Sequence, residues 1–172
     1  LFVATDDSSA EIKVYDITSP ATFSSAGLVH SQNIQGSSRV RSLAISGDML
    51  YVGTIASTGI GDDEFYAFHI EDTGVLTLTD TINDDTTGIL KIAVSGTAAY
   101  LASSMDTSEL RVVNVASGAN ILSLGGYNLS DRIQNGLSVA VSGTSAFIGT
   151  ERGTSIDELV LFDIGTGGVP TT

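Results

Sequence analysis

An all-β fold follows from three observations. Short runs rich in Val, Ile, Leu and aromatic residues recur along the chain, with turn residues between them. No segment sustains an i, i+3, i+4 apolar pattern over three turns, because Gly and Ser cut every run, so helix is a poor fit. The runs also repeat at a near-constant spacing: Leu43-Ala44-Ile45-Ser46-Gly47 returns as Ile92-Ala93-Val94-Ser95-Gly96 and as Val139-Ala140-Val141-Ser142-Gly143, at offsets of 49 and 47 residues.

That repeated string is the first element of the unit, strand A. Its closing Ser-Gly reads as a hairpin turn, since Gly accepts positive φ at no steric cost. Strand B follows, as Leu50-Tyr51-Val52-Gly53, Tyr100-Leu101-Ala102 and Phe147-Ile148-Gly149, and the chain itself opens on a copy, Leu1-Phe2-Val3-Ala4. Its aromatic anchors are Phe2, Tyr51, Tyr100 and Phe147. Strand C recurs four times, as residues 11–16, 64–69, 109–114 and 158–163, each beginning with Glu. It is apolar almost throughout, which predicts burial on both faces. Asp16, Asn114 and Asp163 stand where an Asx turn would lead out of it, and His69 takes that place in the second copy. Strand D is looser, at residues 27–34, 75–82 and 119–125; the alternation Leu76-Thr77-Leu78-Thr79 predicts one wet face.

Four antiparallel strands in about 48 residues is the pattern of a β-propeller blade. The chain divides into a partial blade at 1–35 (strands B, C, D), blades at 36–83 and 84–126, and a partial blade at 127–172 (strands A, B, C), about three and a half blades of one propeller domain.

The strings Ile45 to Gly53 and Ile12 to Pro20 resemble the LVIVD repeat, found in bacterial and archaeal surface proteins. The likeness extends over essentially the whole chain. It implies a β-propeller at a cell surface, and it carries no catalytic residues with it.

Closed propellers typically use 4–8 blades, so an array of this size is expected to leave blade faces and sheet edges open. Three arrangements would cover them: a longer polypeptide of which these residues are an internal section, two copies closing a ring of seven blades, or a filament built through the open ends.

Composition narrows the function classes. Twenty acidic and seven basic side chains give a net charge of −13, which argues against a nucleic-acid partner. There is no Cys, so disulfides, thiolate metal sites and Cys nucleophiles are excluded. The longest charge-free stretch, 112–130, is broken by Asn, Ser and Gly and cannot span a membrane as a helix. Charged residues are few at 16%, and 22 Ser, 19 Thr and 19 Gly supply the polarity, a balance that suits an extracellular setting.

Fourteen of the acids fall on the rim formed by the B–C and D–A loops. Among them Asp62, Asp63 and Glu64 on one loop and Asp84 and Asp85 on the next suit Ca²⁺, which takes oxygen ligands from several directions. The alternative is plain solvation of polar loops. The repeated Glu11, Glu64, Glu109 and Glu158 are expected to mark the start of strand C and to face solvent or a neighbouring loop. His30 and His69 lie in different elements, with no H-E-x-x-H pair, so a His-based zinc site is not expected. No G-x-S-x-G elbow and no phosphate cradle is present. Tyr127 reads as a surface contact or a loop anchor.

The sequence therefore predicts a non-catalytic structural or interaction module of a secreted or cell-surface propeller protein, without cofactor unless calcium binds, and with a protein partner or self-association through blade edges. Two alternatives stand beside it. One is a subunit of an extracellular filament or assembly. The other is a fragment of a propeller enzyme of the hydrolase or lactonase type, with its site on the acidic rim.

Overall fold

The computed structural model describes residues 1–18, 27–34, 39–55, 63–83, 88–104, 108–129, 135–151, 158–165 and 170. Among them fourteen strands form four antiparallel sheets, each a meander of strands consecutive in the chain. The first sheet holds β1 (Phe2–Ala4), β2 (Ile12–Tyr15) and β3 (Leu28–Gln32). The second holds β4 (Arg39–Ser46), β5 (Met49–Ile55), β6 (Phe65–Ile70) and β7 (Leu76–Ile82). The third holds β8 (Ile89–Ser95), β9 (Ala98–Ser103), β10 (Leu110–Asn114) and β11 (Leu122–Tyr127). The fourth holds β12 (Gly136–Ser142), β13 (Ser145–Thr150) and β14 (Leu159–Asp163).

The local chemistry of the turns repeats from sheet to sheet. Register pairs Ser46 with Met49, Ser95 with Ala98 and Ser142 with Ser145, leaving two-residue hairpin turns. The first residue of each is Gly47, Gly96 or Gly143, at φ 60°, 58° and 58°, the position where tight primed turns need glycine. After strand C the side-chain oxygens of Asp16, Asn114 and Asp163 accept from the amides of Thr18, Ala116 and Gly165, each at 2.8 Å. These are Asx turns, in which the side chain stands in for a backbone carbonyl.

Side chains alternate across each strand, so every sheet has a forward and a backward face. Phe2, Ile12 and Val14 on the forward face of the first sheet pack against Leu50, Val52 and Phe68 on the backward face of the second. Tyr51 and Phe65 then meet Leu101 and Val113 of the third sheet, and Tyr100 and Val112 meet Ile148 and Phe162 of the fourth. The two middle sheets are thus apolar on both faces, and β9 is buried at every position. The forward face of the fourth sheet is open: Phe147, the counterpart of buried Tyr100, is 37% exposed.

The sheets approach closely where they carry no side chain. A Cβ added at Gly53 would lie 2.7 Å from Ile89 Cγ2, and one added at Gly136 would collide with the carbonyl oxygen of Glu109. Each strand A is bulged near its start, between Val40 and Ser42, between Ile89 and Lys91, and between Gly136 and Ser138. Polar bonds also join the second and third sheets: the Ile92 amide donates to Ser42 Oγ at 2.9 Å, inside the core, and the Ile121 amide to Asp80 Oδ2 at 2.6 Å.

Candidate functional site

The glutamate that opens each strand C is the most regular polar feature of the fold. Its backbone carbonyl closes the end of strand B, accepting from Thr5, Thr54, Ser103 and Thr150 at 2.8–3.0 Å. Its side chain does not face solvent in three of the four copies. Glu11, Glu64 and Glu109 are 4%, 1% and 0% exposed; Glu158 alone is exposed. Glu11 Oε2 accepts from the Ile34 amide and Glu109 Oε2 from the Leu129 amide, both at 2.8 Å. Ile34 and Leu129 lie just beyond β3 and β11, where the chain leaves one sheet for the next. Each carboxylate therefore holds the crossover that leads to the following blade. Of the two expected environments, Glu158 has solvent and Glu11 and Glu109 have a neighbouring loop; the physical reason is a loop amide over the sheet end that needs an acceptor.

A second residue completes this arrangement between sheets. Arg111 lies two positions after Glu109 and points backward, toward the second sheet; it is 7% exposed. Burial pushes its guanidinium below the ordinary arginine range, and the Glu64 carboxylate works against that shift. Register places Lys13 opposite Val3, Tyr66 opposite Val52, Arg111 opposite Leu101 and Val160 opposite Ile148. The same site is thus cationic in two sheets and apolar in the fourth. Glu109 keeps its Oε1 buried without a hydrogen-bond partner among the described residues.

At the opposite rim, His69 sits where the other repeats have Asp or Asn. Its Nε2 is 3.3 Å from Asp48 of the hairpin turn, and its Nδ1 is 3.2 Å from Glu71. The Glu71 hydrogen bond is the main reason its imidazole is held above the ordinary histidine range. Glu71 in turn is lowered, first by the Thr77 hydroxyl that donates to it at 2.9 Å, then by His69. His69 and Asp48 border a groove of about 330 Å³ between the second and third sheets, floored by Met49 and Tyr51 and closed by Thr97 and Ser117. Burial raises the Tyr51 phenol.

The remaining sequence candidates fall as follows. Asp62, Asp84 and Asp85 lie outside the described residues. Of the other calcium candidates, Asp63 offers its carbonyl to Thr54 Oγ1 at 3.0 Å, and Glu64 is turned into the interior. Among the described residues no group of three His, Asp or Glu side chains could hold a metal ion. His30 lies 3.4 Å from Gln32 Oε1. Tyr127 is a loop anchor: its ring tilts against Phe162 and its hydroxyl donates to the Pro170 carbonyl at 2.8 Å.

Sequence reasoning saw Glu at the same place in all four repeats. It did not single out Lys13 and Arg111, two positions later, or the influence of Glu64 on Arg111 across sheets. The signal was there in the spacing, since residues of like phase in adjacent blades face each other once the blades stack.

No family model matches the chain, and no curated protein matches it. Solved structures do. The computationally designed Ika4 protein is 15% identical with a TM-score of 0.67, over 95% of this chain and 84% of its own. The computationally designed Ika8 protein is 17% identical with a TM-score of 0.64, over 99% of this chain and 44% of its own. A protein from Lactobacillus plantarum is 16% identical with a TM-score of 0.70, over 99% of this chain and 52% of its own. With the four stacked meanders, these likenesses decide the architecture. The fold is β-propeller-like. The chain spans about half the length of the last two structures and most of the first.

Proposed function

We propose that this chain is a non-catalytic structural and interaction module of a secreted or cell-surface propeller protein of the LVIVD-repeat kind. The observation that carries this reading is the use made of the buried carboxylates. Glu11 and Glu109 are engaged by the amides just beyond β3 and β11, and Glu64 acts electrostatically on Arg111 of the next sheet, so the most regular acids of the chain serve its structure. The forward face of the fourth sheet supports the interaction half of the reading, because Leu159 and Leu161 are 65% and 62% exposed. No helix among the described residues is long and apolar enough to cross a membrane.

Two measurements test it. Protease shaving of intact source cells is expected to release peptides of this chain; its recovery only from the cytosol would overturn the surface assignment. The purified chain, assayed against a panel of lactone and ester substrates, is expected to show no turnover. Turnover that disappears in His69→Ala or in Glu109→Gln would instead establish the enzyme reading.

A further inference from the structure

We propose that the open forward face of the fourth sheet is covered by the open backward face of the first sheet in a second copy of this chain, so that two copies close one ring. This rests on the interaction-module reading and names its partner.

The argument is continuity with the interfaces inside the chain. Phe147 pairs with Leu161 and Gly149 with Leu159, the register in which Tyr100 pairs with Val112 and Ala102 with Leu110. Tyr100, Val112 and Leu110 are fully buried by the sheet that follows them; Phe147, Leu161 and Leu159 are 37%, 62% and 65% exposed. The last sheet therefore presents the surface that every earlier sheet buries against a neighbour. The first sheet presents the matching surface. Leu1, Val3, Lys13 and Tyr15 occupy the positions that Ala99, Leu101, Arg111 and Val113 use to meet the second sheet. Leu1 is 45% exposed, and Val3 and Tyr15 are half-buried.

Charge completes the match. Inside the chain the Glu64 carboxylate of the second sheet acts electrostatically on the Arg111 guanidinium of the third, opposing the effect of its burial. Glu158 holds the Glu64 position on the exposed last sheet, and Lys13 holds the Arg111 position on the first. Docking one face on the other sets Glu158 beside Lys13, whose ammonium otherwise meets only Asp7, at 3.0 Å among the described residues. A contact between two different faces closes into a ring when the rotation allows it, and here both copies would use both faces.

Sedimentation equilibrium of the full chain between about 1 and 100 μM tests this. The expected mass is twice 17.7 kDa at the upper end. Glu158→Lys alone and Lys13→Glu alone are each expected to weaken the pair at least about tenfold, by placing like charges together. An equimolar mixture of those two variants is expected to regain the pair, because each interface then holds one Lys and one Glu. Leu161→Asp, on an exposed side chain, is expected to give a folded monomer by circular dichroism. A chain that stays monomeric, a species that grows beyond two copies, or a dimer indifferent to all three substitutions overturns the proposal. Monomeric behaviour leaves the interaction-module reading in place, whereas substrate turnover would remove that reading without touching the dimer.

Discussion

Glu109 Oε2 accepts a hydrogen bond from the Leu129 amide at 2.8 Å, while the oxygen beside it, Oε1, is buried with no partner among the described residues. One carboxylate is thus half used. The used half ties the end of β11 to the start of β10; in the next sheet, Val160 holds the register position that Arg111 holds in the third.

Removing the used half should be costly. Glu109→Ala orphans the Leu129 amide and should destabilise the chain by about 2 kcal/mol, as should Glu11→Ala through Ile34. Glu158→Ala, at an exposed copy of the same position, should change stability by less than about 0.5 kcal/mol at protein concentrations too low for association. Urea unfolding of the three variants checks the ranking. Equal losses at all three positions would show that burial of the carboxylate does not matter.

The unused half can be filled. Val160→Lys should place an ammonium where Arg111 stands in the preceding sheet, and it should be tolerated better with Glu109 present than in a Glu109→Gln background. A double-mutant cycle measures this coupling, expected at about 1 kcal/mol or more. The native counterpart is Arg111, on which the Glu64 carboxylate acts: Arg111→Met removes a buried cation beside a buried acid and should destabilise the chain in the same urea series.

Two glycines should fail for different reasons. Gly136→Ala drives a methyl into the Glu109 carbonyl oxygen, a backbone atom that cannot step aside, and should cost more than about 2 kcal/mol. Gly143→Ala meets nothing within 4 Å but must hold φ near 58°, and should cost about 1 kcal/mol. Thermal melts of the two variants separate collision from backbone strain.

His69 should make stability depend on pH. Its folded pKa is raised above the ordinary 6.5 by Glu71 and Asp48. The stabilisation is fully present below 6.5 and is lost as pH rises through the higher folded value. Imidazole NMR signals should titrate with a midpoint above 6.5, and His69→Gln should flatten the melting temperature across that window. A midpoint at or below 6.5 would show that the two carboxylates do not hold the proton. Asp7 runs the other way: held at about 2, chiefly by the Ser9 hydroxyl and then by Lys13, it contributes above 3.8 and loses its contribution as pH falls toward 2.

Much of the architecture could be read along the chain because it is encoded locally. A glycine at each A–B turn, an Asp or Asn after strand C and two-faced apolar runs act within a few residues of themselves, so Gly47, Asp16 and Val112 carry the same meaning alone as in the fold. The candidate site was less legible. Glu64 and Arg111 are 47 residues apart and come together only when one sheet stacks on the next. Nor does the string around Glu109 show that its carboxylate is buried and holds the Leu129 amide.

The sequence by itself determined the strand unit, its repetition and the turns that join it, since these depend on φ preferences and on period-two burial. The tertiary structure decided which copies of a repeated residue are buried, which are paired and which are left open. Tyr100 and Phe147 begin as equivalent anchors; one is sealed and the other is not, because a sheet face is covered only where another sheet lies against it.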